Sequence, residues 1–333
     1  MNLSLKIITF VVNLEEFLDK TGGNVIMEVV KSNNFDQLDA GPFVLTIGTF
    51  DGIHLGHKKI IQKAIKISKY LEVKNGVFSF SPHPLKIINP DRVPLVISSY
   101  QQKLKLLEKL NVDHYFDQLF NRDFAHINFH DFVRDVLVDH FKVKHIVVGK
   151  DFRFGYKNMG NVRYLNELGE KYNFKVSSLK PVTLDGKKIS STIIRRLIKN
   201  GDIEKVIEYL GRYYQLEGNV IYGHGRGKKI GFPTANIELA TNYVLPPNGV
   251  YAVYAYYQGN KYKAIANFGF KPTFSDKDYS IEIHFLNLEK NLYGEKIYID
   301  LVDFIRDEIT FTSTKDLKKQ IDKDILYTRK ILC

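Results

Sequence analysis

Cysteine is almost missing from this chain: of 333 residues, only the last, Cys333, is one. A single thiol excludes an internal disulfide and any cysteine-based metal cluster, and with them redox chemistry run by the protein's own thiols. Long apolar runs are missing too. Crossing a bilayer takes about 20 apolar residues, and no run approaches that. The longest early candidate, Leu5 to Val12, is broken by Lys6 and Thr9 and followed by Glu15 and Glu16. It lacks the basic start and small-residue cleavage site of a signal peptide. The sequence therefore reads as cytoplasmic, with no membrane partner. It holds no internal repeat and no low-complexity tract.

Acidic charge is in short supply. Against 48 Lys and Arg stand 37 Asp and Glu, a net charge of +11 and a pI of about 9.3. Such an excess can serve a polyanionic partner. Here the basic residues are dispersed among acidic ones (Lys103, Lys105 and Lys109; Lys318, Lys319 and Lys323), the pattern of solvated helix faces. No nucleic-acid partner is expected. With 44% hydrophobic and 26% charged residues the composition is that of a soluble protein, and at ~100–200 residues per domain the length suggests two domains, each with its own core.

Residues 1–26 match nothing that follows, and Met27 opens a segment that reads like the start of a domain. Residues 1–26 are expected to be a poorly packed extension or the product of an upstream start codon; a native protein whose mass begins at Met1 would exclude the second. Next come apolar β-rich runs at 43–50, 75–84 and 144–152, alternating with helical periodicity at 57–72, 98–110 and 129–140. That rhythm predicts an open parallel α/β sheet. After 189–211 it changes. From Tyr213 onward short alternating strands are separated by Gly, Asn and Pro turns, which predicts an antiparallel barrel. A last helical stretch, 313–332, starts at a Ser or Thr cap. The expected fold class is α/β plus β, with domains at 27–207 and 208–333.

Two short segments of the first domain carry chemistry. Residues 48–57 read GTFDGIHLGH, between a strand and a helix. A glycine turn entering a helix leaves backbone N–H groups where an anion can sit. His54 and His57 add donors at the same helix end, able to meet charge on phosphate oxygens, and Gly56 leaves room for a nucleotide to approach. A zinc site fits poorly, because no local ligand set completes the histidine pair. Residues 190–195 read SSTIIR and enter the next helix. Ser190, Ser191 and Thr192 can cap it and donate to phosphate, with Arg195 about one turn in; read alone, this is a helix cap.

The two motifs together resemble the nucleotidylyltransferase superfamily, whose HxGH motif binds ATP and whose ISSTxxR signature follows the last strand. The resemblance implies a Rossmann-like domain and ATP contacts from Gly48, Phe50, Asp51, His54, Gly56, His57, Ser190, Ser191, Thr192 and Arg195. His54, His57 and Arg195 would be catalytic, by alignment and charge stabilisation. The segments FSPHP (80–84) and VVGKDFRFGYKNMG (147–160) are similar to the FAD synthetase branch. That likeness implies flavin contacts from Asp151, Phe152 and Phe154, although alternate phenylalanines also suit a core.

In the second domain, residues 223–231 read GHGRGKKIG, a loop able to wrap a triphosphate with backbone N–H groups. It is not a Walker A loop, since Lys229 falls where Ser or Thr is required and Tyr222 where the first Gly belongs. Nor is it a dinucleotide fingerprint, since Ile230 takes the last Gly position. Followed by GFPTAN, and further on by NFGFKPTF, IEIHFL, LYG and FIRDE, it resembles riboflavin kinase closely. The resemblance implies ATP contacts from Gly223, Gly225, Gly227, Lys229, Gly231, Thr234 and Asn236, with Thr234 and Asn236 also holding Mg²⁺. It implies Glu282 as general base and Arg306 near flavin or phosphate. On the residues alone, Glu282 and His284 could be the outward face of a strand. From Phe43 to the C-terminus the chain thus resembles the bifunctional riboflavin kinase/FAD synthetases of bacteria. Riboflavin, FMN, FAD, ATP, ADP and pyrophosphate are then its expected substrates and products.

Overall fold

A computed structural model of the chain describes residues 26–32, 41–223, 227, 230–270 and 279–332. The expected extension 1–26, Ile26 apart, lies outside the described residues, as do Gly225 and Lys229 of the glycine-rich loop. Contacts divide the described residues into two units. One comprises the chain up to Pro94 and Tyr100–Ser190; the other comprises Leu95–Ser99 and Ser191 onward.

The first unit is built on a six-stranded sheet of β1 (Glu28–Lys31), β2 (Phe43–Ile47), β3 (Lys74–Ser81), β4 (His114–Leu119), β5 (His145–Gly149) and β8 (Lys175–Leu179). The order is β1-β4-β3-β2-β5-β8, with every pair parallel. A parallel sheet is covered on both faces, and β2 is accordingly buried at every residue. Phe43, Leu45 and Ile47 face one cluster with Phe78, Phe116 and Phe141, whereas Val44 faces Ala64 and Val147 on the other side. Helix α1 (Leu55–Leu71) buries Ile61, Ala64, Ile65 and Ser68, the 3–4 spacing of a single helix face. It ends at Glu72, which takes a left-handed conformation with φ of 56°. Helix α2 (Tyr100–Glu108) follows β3. The helix expected at 129–140 is there, but Phe132–His140 is wound as a π-helix, the wider turn visible where Phe141 N–H donates to Val136 O at 3.1 Å. A small hairpin, β6 (Arg153–Phe154) with β7 (Gly160–Asn161), precedes α3 (Val162–Tyr172); β9 (Thr183–Leu184) and β10 (Lys187–Lys188) form a second.

The second unit opens with α4 (Ser191–Asn200) and α5 (Ile203–Leu210) and continues into β11 (Tyr214–Ile221), β12 (Ala235–Leu239), β13 (Gly249–Tyr257), β14 (Asn260–Phe270), β15 (Tyr279–Phe285) and β16 (Lys296–Arg306). These strands close into an antiparallel barrel in the order β11-β12-β15-β14-β13-β16. Closure leaves no free sheet edge. Helix α5 packs on β11 and β16, and the terminal helix α6 (Thr314–Ile331) packs on β13, β14 and β16. Strands covered inside and out bury both faces, so β13 is buried at eight of its nine positions. The hydroxyl of Ser313 caps α6, accepting from Asp316 N–H at 3.1 Å.

Candidate active sites

In the first unit the strand order reverses at β2: β3 and β4 lie to one side of it and β5 and β8 to the other. Ligands of open α/β sheets bind at such a switch point, outside the carboxyl ends of the strands. The segment leaving β2 there is Gly48–His54, and it is bent hard. Phe50, Gly52 and Ile53 have φ of 49°, 82° and 36°. Left-handed backbone costs a non-glycine residue about 1–3 kcal/mol, most for a β-branched one. The loop tolerates this because Phe50 and Ile53 are fully buried in the core beside Ile61, Ile65 and Tyr115. Burying each side chain stabilises by roughly 1.5–3 kcal/mol, which offsets the strain and fixes the loop.

His54 is the N-cap of α1: its Nδ1 accepts from the backbone N–H of His57 at 3.2 Å. An accepting Nδ1 places the ring proton of neutral His54 on Nε2, a donor. The two imidazoles stack, centroids 3.7 Å apart and 17° from parallel. Burial, and secondarily His54, hold the His57 pKa well below 6.5. The space at Gly56 is claimed from inside the protein: a Cβ there would lie 2.9 Å from Cε1 of His54. Gly56 thus makes room for the His54 ring. The same Cβ would lie 3.8 Å from Ile189 O, so the segment leading to Ser190 runs beside the histidine pair. Ser191, Thr192 and Arg195 open α4 in the second unit, where Arg195 Nε donates to Leu95 O at 2.7 Å.

At the carboxyl ends of β2 and β3 lies a cavity of about 590 Å³, lined among others by Ile47, Phe80, Pro84, Phe152, Phe154 and Tyr156. Phe152 and Phe154 stack with centroids 5.4 Å apart. Phe154 also belongs to the core, whereas Phe152 is only partly buried. Asp151 does not line this cavity. It is exposed and pairs with Lys188 at 2.5 Å, which holds its carboxyl below the usual range.

In the barrel, β15 alternates: Ile281, Ile283 and Phe285 are buried, while Glu282 and His284 share the half-open face. Register places Glu282 between Asn236 on β12 and Asn267 on β14. Thr234 Oγ1 donates to Glu282 Oε2 at 3.0 Å. The described glycines press against the same group: a Cβ on Gly223 would collide with the Asn236 amide, and one on Gly227 with Phe232 O and, at 3.3 Å, Thr234 Oγ1. Gly231 is needed for its φ of 91°.

Two cavities meet at Thr234. One, of about 510 Å³, is lined by Thr234, Asn267, Glu282, His284 and Arg306. The other, of about 500 Å³, is lined by Thr234, Ile283, Phe285, Lys290, Leu292 and Tyr293. Arg306 is held by a fork of hydrogen bonds to buried Asp324, Nε to Oδ2 at 3.0 Å and Nη2 to Oδ2 at 2.9 Å. Asn267 and the wall that ends in Tyr293 were not singled out as site residues in the sequence. Asn267 reaches Glu282 only through strand register, and the LYG run announces a turn but not a cavity.

An α/β unit with a nucleotide-type switch-point loop and a barrel with an acid–hydroxyl pair between two cavities define a two-site transferase. The comparisons name its family. A model of FAD synthetase matches residues 36–193 and one of riboflavin kinase matches 210–332. Bifunctional riboflavin kinase/FMN adenylyltransferase of Buchnera aphidicola from Acyrthosiphon pisum is 37% identical, covering 91% of this chain and 98% of that one. The Escherichia coli K12 protein of the same name is 35% identical over 90% and 95%, and that of Bacillus subtilis 168 is 36% identical over 84% and 90%. The chain belongs to this family of bifunctional riboflavin kinase/FMN adenylyltransferases. A solved Streptococcus pneumoniae protein named for macrolide efflux shares the fold, with a TM-score of 0.82 and 27% identity over 91% of this chain and 99% of that one. Among the described residues no helix is long and apolar enough to cross a membrane, and efflux is not carried over.

Proposed function

We propose that this chain makes both flavin coenzymes, phosphorylating riboflavin to FMN on the barrel and adenylylating FMN to FAD on the α/β unit. The observation that carries the kinase half is the position of Thr234, which borders both barrel cavities and donates to Glu282. The cavity with Glu282 and Arg306 would take riboflavin, and the one ending in Tyr293 would take ATP. Glu282 then removes the proton of the ribityl 5′-hydroxyl as that oxygen attacks the γ-phosphorus and ADP leaves. The Thr234 hydroxyl donates its hydrogen bond to Glu282, so its oxygen lone pairs would remain for a cation, and the side-chain carbonyl of Asn236 would add a second oxygen. An all-oxygen set suits Mg²⁺, which would neutralise charge on the ATP phosphates. Gly223, Gly225, Gly227, Lys229 and Gly231 are assigned to the same nucleotide.

In the α/β unit the FMN phosphate attacks the α-phosphorus of ATP and pyrophosphate leaves. No protein nucleophile is needed; the work is alignment and hydrogen bonding to developing charge. We assign the triphosphate to the loop of Gly48, Phe50 and Asp51, to His54, Gly56 and His57, and to Ser190, Ser191, Thr192 and Arg195. The flavin is assigned to the cavity of Phe152 and Phe154. The catalytic domains are taken as 27–207 and 208–333, working in the cytoplasm without nucleic-acid or membrane partners. The test is a product assay: purified protein with riboflavin and Mg·ATP, flavins separated over time. FMN followed by FAD is expected. FMN alone would remove the adenylyltransferase assignment, and no product from riboflavin or from supplied FMN would overturn the proposal.

A further inference from the structure

We propose that Lys103, a residue outside every motif above, is a positioning residue for adenylylation: its ammonium ties the phosphate loop after β2 to the sheet beneath. The inference rests on the adenylyltransferase reading of that loop. Lys103 lies on α2, and its Nζ sits over the ring of Tyr115 at 5.1 Å and of Tyr100 at 5.7 Å. It is 3.4 Å from Ser79 Oγ, which in turn donates at 3.4 Å to Thr49 O within the loop. Two carboxylates act on it, Asp117 from β4 and Asp51 from the loop itself.

The arrangement has no simple structural substitute. Asp117 is buried; its Oδ2 accepts from Tyr100 Oη at 3.0 Å, while its buried Oδ1 makes no hydrogen bond among the described residues. A buried carboxylate so poorly hydrogen-bonded needs a nearby cation. Lys103 supplies it and at the same time attracts Asp51, so one charge serves both the sheet and the loop. Losing that charge would remove the attraction for Asp51 and the link through Ser79 to Thr49 in the bent segment whose far end, His54, caps α1.

The ammonium is also set up to report on itself. Burial lowers its pKa, against upward pulls from Asp117 and Asp51. Burial pushes the phenols of Tyr100 and Tyr115 upward, so they stay neutral while the lysine titrates. As pH rises through its lowered pKa, Lys103 loses its charge, and adenylation should fall on an alkaline limb that the barrel reaction does not share.

The experiment uses the full-length chain with Lys103→Met and Lys103→Arg, measuring FMN-to-FAD and riboflavin-to-FMN conversion separately across alkaline pH. Lys103→Met is expected to lower kcat/KM for adenylation on the order of 10–100-fold, chiefly through KM for ATP, as misplacement of a positioned group does. Riboflavin phosphorylation should stay within about twofold of wild type, which certifies the fold. Lys103→Arg should retain most adenylation and shift the alkaline limb upward, since a guanidinium stays charged. Unchanged adenylation in Lys103→Met would overturn the proposal, as would an unmoved alkaline limb in Lys103→Arg. If Lys103→Met lost both activities through misfolding, the limb in Lys103→Arg would decide. A wild-type chain that made FMN but no FAD would instead remove the reading on which the inference rests.

Discussion

The two imidazoles at the start of α1 differ in what holds them. His54 is fixed by the N–H it accepts, whereas His57 is enclosed, with Phe50 edge-on at 5.1 Å and a buried Nδ1 that has no hydrogen-bond partner among the described residues. Its pKa lies below the value of about 6.5 that it takes when unfolded. Below that pH the unfolded chain binds a proton that the folded chain refuses, so stability is complete above it and erodes as pH falls toward the folded pKa. Thermal unfolding of the wild type should therefore shift to lower temperature between pH 7 and pH 5 by more than that of His57→Asn. Parallel curves for the two would contradict the burial of His57. At neutral pH the residue acts as a neutral donor, and removing one such donor costs on the order of 10²–10³ in rate. His57→Ala should lose that much FAD formation while riboflavin phosphorylation is unchanged. The histidine pair was legible from its spacing and flanking glycines. The contact of Gly56 with the His54 ring was not, because it depends on a side-chain position that spacing does not show.

Among the elements, the hairpin of β6 and β7 separates two roles that its sequence left merged. Phe152 and Phe154 both line the first cavity, but only Phe154 is also part of the buried core with Phe132 and Leu165. Phe154→Ala should cost about 3–5 kcal/mol of stability, read by chemical denaturation. Phe152→Ala should leave stability nearly unchanged and raise KM for FMN. Equal loss of stability in both would mean that neither ring is set aside for a ligand. Gly155, with φ of 72° and the Phe129 backbone 2.7 Å from where a Cβ would sit, keeps the turn between them tight. Long apolar runs such as β2 and β5 were readable because a central parallel strand is buried on both faces. The edge strands β1 and β8 were not, since Glu28–Lys31 is mostly exposed and no residue of Lys175–Leu179 is fully buried, so they carry little of the hydrophobic signal on which such reading depends.

At the scale of the whole molecule, contiguity in sequence is a poor guide to membership. Leu95–Ser99 precede α2 in the chain yet belong by contact to the barrel unit: Val96 bridges Tyr243, and Ser99 Oγ donates to buried Glu217 at 2.5 Å. Glu217 is further paired with Lys296 at 3.2 Å. Nothing local in VPLVISS signals a partner more than a hundred residues away, which is why the boundary read from the change of rhythm near Tyr213 could not include it. The two chemistries can nonetheless be separated by substitution, because the groups proposed for each lie in different parts of the chain. Glu282→Gln, which keeps the hydrogen bond from Thr234 but removes the base, should stop riboflavin phosphorylation and spare adenylation of supplied FMN. His57→Ala should do the reverse. Alone, neither variant would turn riboflavin into FAD at a useful rate. Mixed, they should do so after a lag, as FMN released by His57→Ala accumulates and reaches Glu282→Gln, and the lag should lengthen on dilution. A mixture that makes FMN but no FAD, while Glu282→Gln still adenylates supplied FMN, would mean that FMN never leaves the chain that made it. Loss of both reactions in Glu282→Gln would mean that the sites are not independent.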